Sequence, residues 1–561
     1  SGGQGGIGCG IYLYSSINNT IQGNTIASSQ GGSGGGGGYL SGLSGVSGNG
    51  YGVYINPNSY NNIIDKTNTY NNEPIHYYYN QSGVTIENQI LTLVGSGSTN
   101  LGRIVLINCT GFIIKNNFIA GGIGKNGETG GGLGEIGRGI YLYNSTSITI
   151  LENTIINNQG GSGGTFGDSD GQGGVGGIGC GIYLSSSINN TIQGNIITSN
   201  QGGSGGKGNS GGVGGIGCGI YLSSSINNTI QGNIITSNQG GSGGTGKSFA
   251  SGGVGGIGCG IYFYNSANNP ISENTILANT GGQGGGGGIS ASGGSGGIGC
   301  GIYLYSSTGN TIRENTISNN TGGQRGVGPA GYGSYGQGYG VYSLSNSNPE
   351  IHYNNLYGNK NGDLTKGYGV YHDGSSGTIS ATFNWWGASS GPEHPITNPS
   401  GQGDKVSDWV EYYPWLPIIT SLTPSSALIG TPITIQGMGF ATNTLVTIDF
   451  GTHLTITTTQ SSANGTFSTT FIVSTQLPGT KIITATDSYG NLATTTFVLL
   501  PPTFLRVIPQ SRIVAKNDEF VEEIRIDDVL NLKGAEVHLS FNPNVLEVLE
   551  LNNGPFPSGG M

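Results

Sequence analysis

One stretch of this sequence occurs twice without a change. Residues Gly173–Gly206 read GGVGGIGCGIYLSSSINNTIQGNIITSNQGGSGG, and Gly211–Gly244 repeat them letter for letter. Looser copies lie on both sides. A repeat of this period is typical of a solenoid, in which each copy forms one unit that stacks on its neighbours. This repetition constrains the fold more than any other feature of the chain.

Each copy has two halves of different character. In Cys180–Gln201, large aliphatic residues alternate with polar ones, and Ile182-Tyr183-Leu184 shows the period of a strand. Asparagine, serine and glycine clusters between these segments indicate turns. Three short strands joined by turns make one rung of a right-handed parallel β-helix. The fold class predicted here is all-β: such a solenoid with glycine-rich loop insertions, followed by β-sandwich domains.

Composition limits the function classes. The chain has 561 residues, so several domains are expected. Only 8% of residues are charged and the net charge is −10, which argues against a nucleic-acid partner. No apolar stretch is long enough to predict a membrane-spanning segment. Both ends have the character of cut ends, so the true termini and any anchor are left open.

Stacked rungs place equivalent residues in files along the solenoid. An asparagine file can hydrogen-bond from rung to rung; its members are Asn24, Asn117, Asn153, Asn195, Asn233, Asn274, Asn315 and Asn354. Because the aliphatic neighbours point inward, a tyrosine file is expected to face outward; its members are Tyr12, Tyr54, Tyr141, Tyr183, Tyr221, Tyr262, Tyr303, Tyr342 and Tyr371. Tyr14, Tyr143, Tyr264 and Tyr305 add a partial second file.

The outward tyrosines are candidate ligand contacts. An exposed aromatic stripe can stack on sugar rings or bind a partner surface. The alternative is that the rings stack on one another and stabilise the strands. The candidate sugar or partner contacts are Tyr141, Tyr183, Tyr221, Tyr262 and Tyr303.

Four cysteines recur on consecutive rungs: Cys180, Cys218, Cys259 and Cys300. Alternation predicts that they point into the solenoid as free thiols, because parallel side chains on stacked strands hold the Cβ atoms too far apart for a disulfide. The sequence has no CxxC motif and no Cys/His cluster, so it does not support a zinc site.

The glycine-rich halves follow a GGx pattern without proline, which excludes collagen. One loop leaves each rung at the same corner. The loops are therefore either flexible, or an ordered sheaf of extended segments with the three-residue period of a polyproline-II-type helix.

Towards its C-terminal end, the solenoid resembles a known family. Residues 383–417 begin FNWWGASSGPEHP and contain all four tryptophans. This segment resembles the C-terminal cap of secreted right-handed β-helix proteins of the pectin-lyase-like superfamily, and the rungs are similar as well. The resemblance covers about residues 1–417. It implies a carbohydrate-active or surface-displayed protein, some relatives being without enzymatic activity.

Two further domains are predicted beyond the cap. Residues 418–500 contain alternating strands separated by Gly, Pro and Asn turns, and the stretch Gly437–Phe440 resembles IPT-type immunoglobulin-like domains. Residues 503–561 resemble the N-terminal part of a cohesin-type domain; the matching segments are Phe520–Ile526, Asp527–Gly534, Ala535–Phe541 and Val545–Leu551. This second resemblance implies a dockerin-type partner.

Few residues suit catalysis. Glu273 and Glu314 occupy one position on neighbouring rungs, where two like charges could hold Ca²⁺ or raise one pKa; the preferred interpretation is that they are solvated surface residues. Asp363 and Asp373 lie with two histidines in the last rungs, as weak catalytic candidates. No cofactor is expected other than a possible Ca²⁺ ion.

The sequence is therefore interpreted as a non-catalytic, extracellular or cell-surface protein. Its roles would be adhesion, carbohydrate contact or envelope structure, with a polysaccharide or envelope component as partner and self-association as a further possibility. The alternative is a polysaccharide lyase or glycoside hydrolase of the β-helix class with accessory modules.

Overall fold

The computed structural model divides the chain into two compact units, Ser1–Pro417 and Ile418–Met561. It describes residues 6–27, 29, 31–33, 50–55, 59, 61–92, 99–166, 171–388, 390–413, 415, 417–440, 443–462, 466–488, 492–500, 504–509, 512–527 and 540–550. Within these residues the secondary structure is all β, and none of them forms a helix that could span a membrane.

The first unit is a parallel β-solenoid, as predicted. Three parallel sheets run along it, named here A, B and C in the order in which each rung visits them. In spatial order, sheet A contains His76–Tyr79, Ile104–Ile107, Gly137–Tyr143, Gly179–Ser185, Gly217–Ser223, Gly258–Tyr264, Gly299–Tyr305, Gly338–Leu344, Tyr368–His372, Gly403–Val406 and Pro392–Glu393. Sheet B contains Thr85–Glu87, Ile113–Lys115, Thr149–Leu151, Thr191–Gln193, Thr229–Gln231, Pro270–Ser272, Thr308–Arg313 and Asn348–His352. Sheet C contains Ile90–Leu91, Phe118–Ala120, Thr154–Ile156, Ile196–Thr198, Ile234–Thr236, Thr275–Leu277, Thr316–Ser318 and Asn355–Tyr357.

The core follows from the in-register stacking of identical aliphatic residues. Ile182 pairs with Ile220, Ile192 with Ile230, and Ile197 with Ile235 on the three sheets. All six side chains are fully buried in one continuous cluster that runs along the solenoid. A single rung could not bury these side chains, so the stack provides the hydrophobic stabilisation.

Buried polar ladders hold the turns of the solenoid. The predicted asparagine file is confirmed from Asn117 to Asn354: each amide nitrogen donates to the amide oxygen of the next rung, as Asn195 does to Asn233 at 2.9 Å. Asn24 lies outside this file, because it bonds Asn68 instead. Two further asparagine ladders and a serine ladder, which the sequence analysis did not identify, run parallel to it; their members include Asn200–Asn238, Asn190–Asn228 and Ser187–Ser225.

The glycine halves are ordered in the described residues between 121 and 338. There, each loop leaves sheet C along an outgoing leg and returns to sheet A along a return leg; Gly202–Gly206 and Gly211–Gly217 are the two legs of one loop. The N–H of Gly215 donates to the carbonyl of Gly203 in its own outgoing leg at 2.7 Å. The N–H of Gly203 donates to Gly177 in the return leg of the preceding loop at 2.8 Å. The loops therefore form two hydrogen-bonded layers, and the ordered sheaf is the correct alternative.

Close approach of backbones explains the GGx pattern. A Cβ atom on Gly203 would lie 1.9 Å from the carbonyl oxygen of Gly161, and one on Gly215 would lie 1.9 Å from that of Gly177. The third position of each triplet projects its side chain away from the contact, as the exposed Ser204 does. Two of every three positions in the legs therefore require glycine.

The expected direction of the cysteine file is wrong. Cys180 and its equivalents are fully buried free thiols, but they pack with the tyrosines on the outer side of sheet A and not with the solenoid core. The reason is local: Ile182 faces the core, and a Cβ on Gly181 would point there too, towards Ile197 at 2.7 Å. Because positions 181 and 182 both point inward, Cys180 before them points outward, where strict alternation back from Ile182 would have placed it inward.

The first two rungs do not continue sheets A, B and C. Their strands form separate small sheets, which pair Gly8–Leu13 with Gly50–Ile55, Thr20–Ile21 with Ile63–Ile64, and Thr25–Ile26 with Thr69–Tyr70; Glu73–Pro74 pairs antiparallel with Thr69–Tyr70. Leu13 and Val53 share a core with Val105 and Ile107, which face outward from sheet A. The prediction that Tyr12 and Tyr54 extend the file of Tyr141 is therefore wrong; Tyr77 takes that place in the register.

The end of the solenoid is closed by the tryptophan segment. Trp386 is fully buried against the end of the core, and a Cβ on Gly369 would meet its ring at 2.8 Å. Asn384 continues one asparagine ladder by one rung. Short pairs complete this unit: Ile379–Ser380 with Val410–Glu411, and, in a glycine loop, Val327–Gly328 with Gly331–Tyr332.

The second unit contains two sheets around one core. One sheet consists of Ile418–Thr423, Pro432–Met438 and Phe467–Ile472; the other consists of Ser426–Ala427, Leu492–Leu499, Gly479–Asp487, Leu445–Phe450 and His453–Gln460. Ile433, Ile448 and Phe497 are among the buried residues between them. Beyond this sandwich, Phe504–Ile508 pairs with Glu523–Asp527. The expected turn and strand between 528 and 539 lie outside the described residues.

Candidate functional site

The predicted tyrosine contacts lie on the outer side of sheet A. In-register pairing puts Tyr183, Tyr221, Tyr262 and Tyr303 above one another on successive strands. Their rings stack nearly parallel, with centroids 4.5–4.8 Å apart. Tyr141 meets Tyr183 edge-on at 5.5 Å, and the Arg138 guanidinium lies over both rings.

This inner file is largely covered. Tyr141, Tyr221, Tyr262 and Tyr303 are each 7% exposed, and Ile178 and its equivalents pack against the file from the return legs. Burial raises the pKa of Tyr221, Tyr262 and Tyr303. Because neighbouring rings cover both faces of Tyr221 and Tyr262, a ligand could reach only ring edges and hydroxyl groups there. Their role as contacts stays a prediction.

The second tyrosine file is more accessible. Tyr143, Tyr264 and Tyr305 end their strands on the same side of sheet A and are 37–40% exposed. Tyr264 and Tyr305 stack at 5.7 Å with an interplanar angle of 6°. On the two rungs between Tyr143 and Tyr264 the position is occupied by Ser185 and Ser223. Of the two tyrosine files on sheet A, the outer one is therefore the more exposed.

The glutamate candidates lie in a turn. Glu273 and Glu314 are exposed and both have φ of 58°, in the left-handed region; Gly194 and Gly232 fill the same turn on earlier rungs. The Glu273 carboxylate accepts a hydrogen bond from the Gln231 side chain at 3.0 Å. The structure thus places the two glutamates on neighbouring rungs, as predicted. They occupy a position of the turn at which the backbone has a positive φ on every one of these rungs.

The aspartate candidates also act locally. Hydrogen bonds from the hydroxyl and the backbone N–H of Thr365 lower the pKa of Asp363. Burial opposes ionisation of Asp373, but hydrogen bonds from Ser375 and Ser345 outweigh it, so the pKa of Asp373 is lowered as well. Both carboxylates order turns, and the structure does not bring them together.

The nearby histidines are bound within the last rungs. The buried His372 contacts the Ser343 hydroxyl at 3.2 Å and the Gly377 carbonyl at 2.9 Å. His352 contacts Thr382. Among the described residues, no group of three or more His, Cys, Asp or Glu side chains could hold a metal ion.

One titratable group was missed by the sequence analysis. Asp404 is buried at the end of the ladder that contains Asn320 and Asn359. Its carboxyl accepts hydrogen bonds from the backbone and side-chain nitrogens of Asn359 and from Gly358 N–H. Burial outweighs these bonds and raises the pKa of Asp404 to about 7. The recurrence of Asn200, Asn238 and their equivalents in the sequence was the available signal for this ladder.

Comparison with known proteins gives little further detail. No protein-family model and no curated protein matches the chain. Among solved structures, the periplasmic alginate epimerase AlgG matches with 15% sequence identity and a TM-score of 0.28, over 65% of this chain and 69% of that one. The pectin-lyase-like, IPT and cohesin resemblances, and the dockerin-type partner, therefore stay predictions.

Proposed function

We propose that this protein is a non-catalytic extracellular or cell-surface protein that contacts an extended polysaccharide along its solenoid. The observation that carries the proposal is the register of the sheets. Thr191 lies over Thr229 and Gln193 over Gln231 on sheet B, while Thr198 lies over Thr236 on sheet C. Equivalent polar groups thus lie above one another on these two rungs, and Thr149 repeats the threonine on the rung before them.

Repetition of this kind suits a repetitive ligand. The rungs are separated by about 4.8 Å, so neighbouring units of a polymer can meet the same hydroxyl and amide groups on successive rungs of this kind. Once one sugar unit is bound, the next unit is held near the next rung at a high effective concentration, so several weak contacts together give a higher overall affinity. The exposed tyrosines of the outer file add aromatic surface, which suits the apolar faces of sugar rings.

The test is a binding and turnover assay of the full chain against a polysaccharide panel, with and without Ca²⁺. The panel includes neutral glucans and mannans and acidic polyuronates. The proposal expects retention on one polysaccharide class without new reducing or unsaturated ends. Release of such ends would establish the lyase or hydrolase alternative, and absence of binding to every member would refute carbohydrate contact. A mass that rises with concentration would support self-association.

A further inference from the structure

The outer tyrosine file is interrupted in a specific place. Along the ends of the sheet A strands the register runs Tyr143, Ser185, Ser223, Tyr264 and Tyr305. The two serines belong to the two identical repeats, and the flanking repeats carry tyrosine at the same position. The interruption therefore lies where the sequence repetition is strictest.

This interruption leaves one aromatic face open. Tyr305 covers one face of the Tyr264 ring, with the rings 6° from parallel. The other face looks along the solenoid towards Ser223, whose side chain is too small to cover it. Tyr264 is 40% exposed, whereas Tyr221 and Tyr262 of the stacked inner file are each 7% exposed. We refer to the space over Ser185 and Ser223, between Tyr143 and Tyr264, as the serine step.

The serine step has the dimensions of a sugar site. Three rung spacings of about 4.8 Å separate the backbones of Tyr143 and Tyr264, or about 14 Å. Hydroxyl groups line its floor and outer side: Ser185 and Ser223 on the strands, and the exposed Ser186 and Ser224 in the turns that follow.

The chemistry of these groups favours a neutral ligand. The lining of the step consists of serine hydroxyls and tyrosine rings, without an acidic or basic side chain among them, while the Arg138 guanidinium lies over Tyr141 and Tyr183 of the inner file. An open aromatic face beside several hydroxyl groups matches a pyranose ring, which has an apolar C–H face and a polar rim. We infer that Tyr264 stacks on one neutral pyranose unit of the polysaccharide, with the serine hydroxyls hydrogen-bonded to that unit. This inference rests on the proposed function and assigns its contact point.

Two variants test the assignment in opposite ways. Tyr264→Ala removes the aromatic face, while Ser223→Tyr fills the step with a ring that the neighbouring rungs already accommodate at this position. The matched control is Tyr353→Ala, because Tyr353 is 42% exposed and stacks on Phe383 away from the step. Affinity of the full chain for a soluble neutral β-glucan is measured by affinity electrophoresis, with a polyuronate as the comparison, and thermal unfolding checks each variant.

The inference expects about tenfold weaker glucan binding for both step variants and unchanged binding for Tyr353→Ala. Should Tyr264→Ala not fold, Ser223→Tyr alone decides the outcome. Equal binding by the step variants and wild type would overturn the assignment, as would an equal loss in Tyr353→Ala. Wild-type binding to the polyuronate alone would overturn the neutral-sugar site and leave the proposed function intact. No wild-type binding to any glycan would refute both.

Discussion

At the scale of single residues, glycine contributes most to this architecture by its missing side chain. Two backbones in the glycine layers approach so closely that a Cβ on Gly203 would lie 1.9 Å from a carbonyl oxygen. The N–H groups at these positions donate to carbonyl groups of neighbouring legs. Hydrogen bonds between extended segments therefore hold the glycine layers together, as strand pairing holds a sheet. Order in these loops therefore depends on each glycine separately.

Replacing Gly203 by alanine should destabilise the solenoid unit. The added methyl group forces two legs apart, and overpacking of this kind costs about 2 kcal/mol. Ser204→Ala is the control, because its side chain is exposed on the adjacent position of the same triplet. Chemical unfolding of both variants measures the difference. Equal stability of Gly203→Ala and wild type would show that the legs are not packed as described.

Asn195 should be among the most sensitive polar positions. Its fully buried amide donates to Asn233 and to two backbone carbonyls, and it accepts from Asn153. Asn195→Ala leaves these partners unsatisfied, so we expect a loss of about 3 kcal/mol in the free energy of unfolding. The exposed Gln193→Ala on the same rung should cost below about 0.5 kcal/mol. Similar losses of stability for the two variants would contradict the claim that the buried asparagine ladder stabilises the solenoid.

At the scale of elements, the buried Asp404 carboxyl of the cap ends the asparagine ladder that contains Asn320 and Asn359. The pKa of Asp404 is raised from its ordinary value of 3.8 to about 7 by burial. Because the folded pKa is the higher one, the stabilising contribution of the protonated group is present below about pH 4. This contribution to the free energy of unfolding, on the order of 4 kcal/mol, is lost as the pH rises through about 7.

Asp404→Asn should remove this pH dependence. An amide at position 404 can still accept from the Asn359 side chain, as asparagine does on every other rung of that ladder. We therefore expect wild-type thermal stability to decrease between pH 4 and 8, with the variant less affected. Lys366, which favours the ionised carboxyl and pairs with Glu393, is kept in both proteins. A wild-type profile that matches the variant across this range would contradict the assignment.

The cysteine file makes a simple chemical prediction. All six cysteines are free, and five of them are buried, with Cys9 partly accessible. Burial raises the pKa of Cys180, Cys218 and Cys259 well above the ordinary value, so their thiolates are scarce. A native thiol titration should label at most Cys9 rapidly, and the denatured protein should give six thiols. Fewer than six after denaturation without reductant would reveal disulfides.

Much of the solenoid could be predicted from spacing alone, because identical residues at one period must stack. The aliphatic columns and the main asparagine ladder followed from that argument. The inward pair Gly181 and Ile182 could not be predicted, since strand alternation assumes one inward residue in two. The accessibility of the tyrosines could not be predicted either. It depends on how the rings are oriented and on the serines that replace tyrosine in two rungs of the outer file.

At the scale of the whole molecule, repetition accounts for both stability and the proposed activity. The same register that buries isoleucine on each rung also aligns threonine and glutamine outside. The looser first copies show the limit of this principle, since Tyr12 and Tyr54 match the motif yet belong to separate sheets. A matching motif thus predicts a rung, but its place in the stack depends on the packing of its outer face.

The most direct test of the central claim is how affinity depends on ligand length. Oligosaccharides of increasing length, from the polysaccharide class retained by the full chain, compete against the immobilised polymer. Contact along several rungs predicts that affinity rises by about a hundredfold between a disaccharide and an octasaccharide, with no cleavage products. A disaccharide that competes as well as the octasaccharide, or the appearance of shortened chains, would contradict the account.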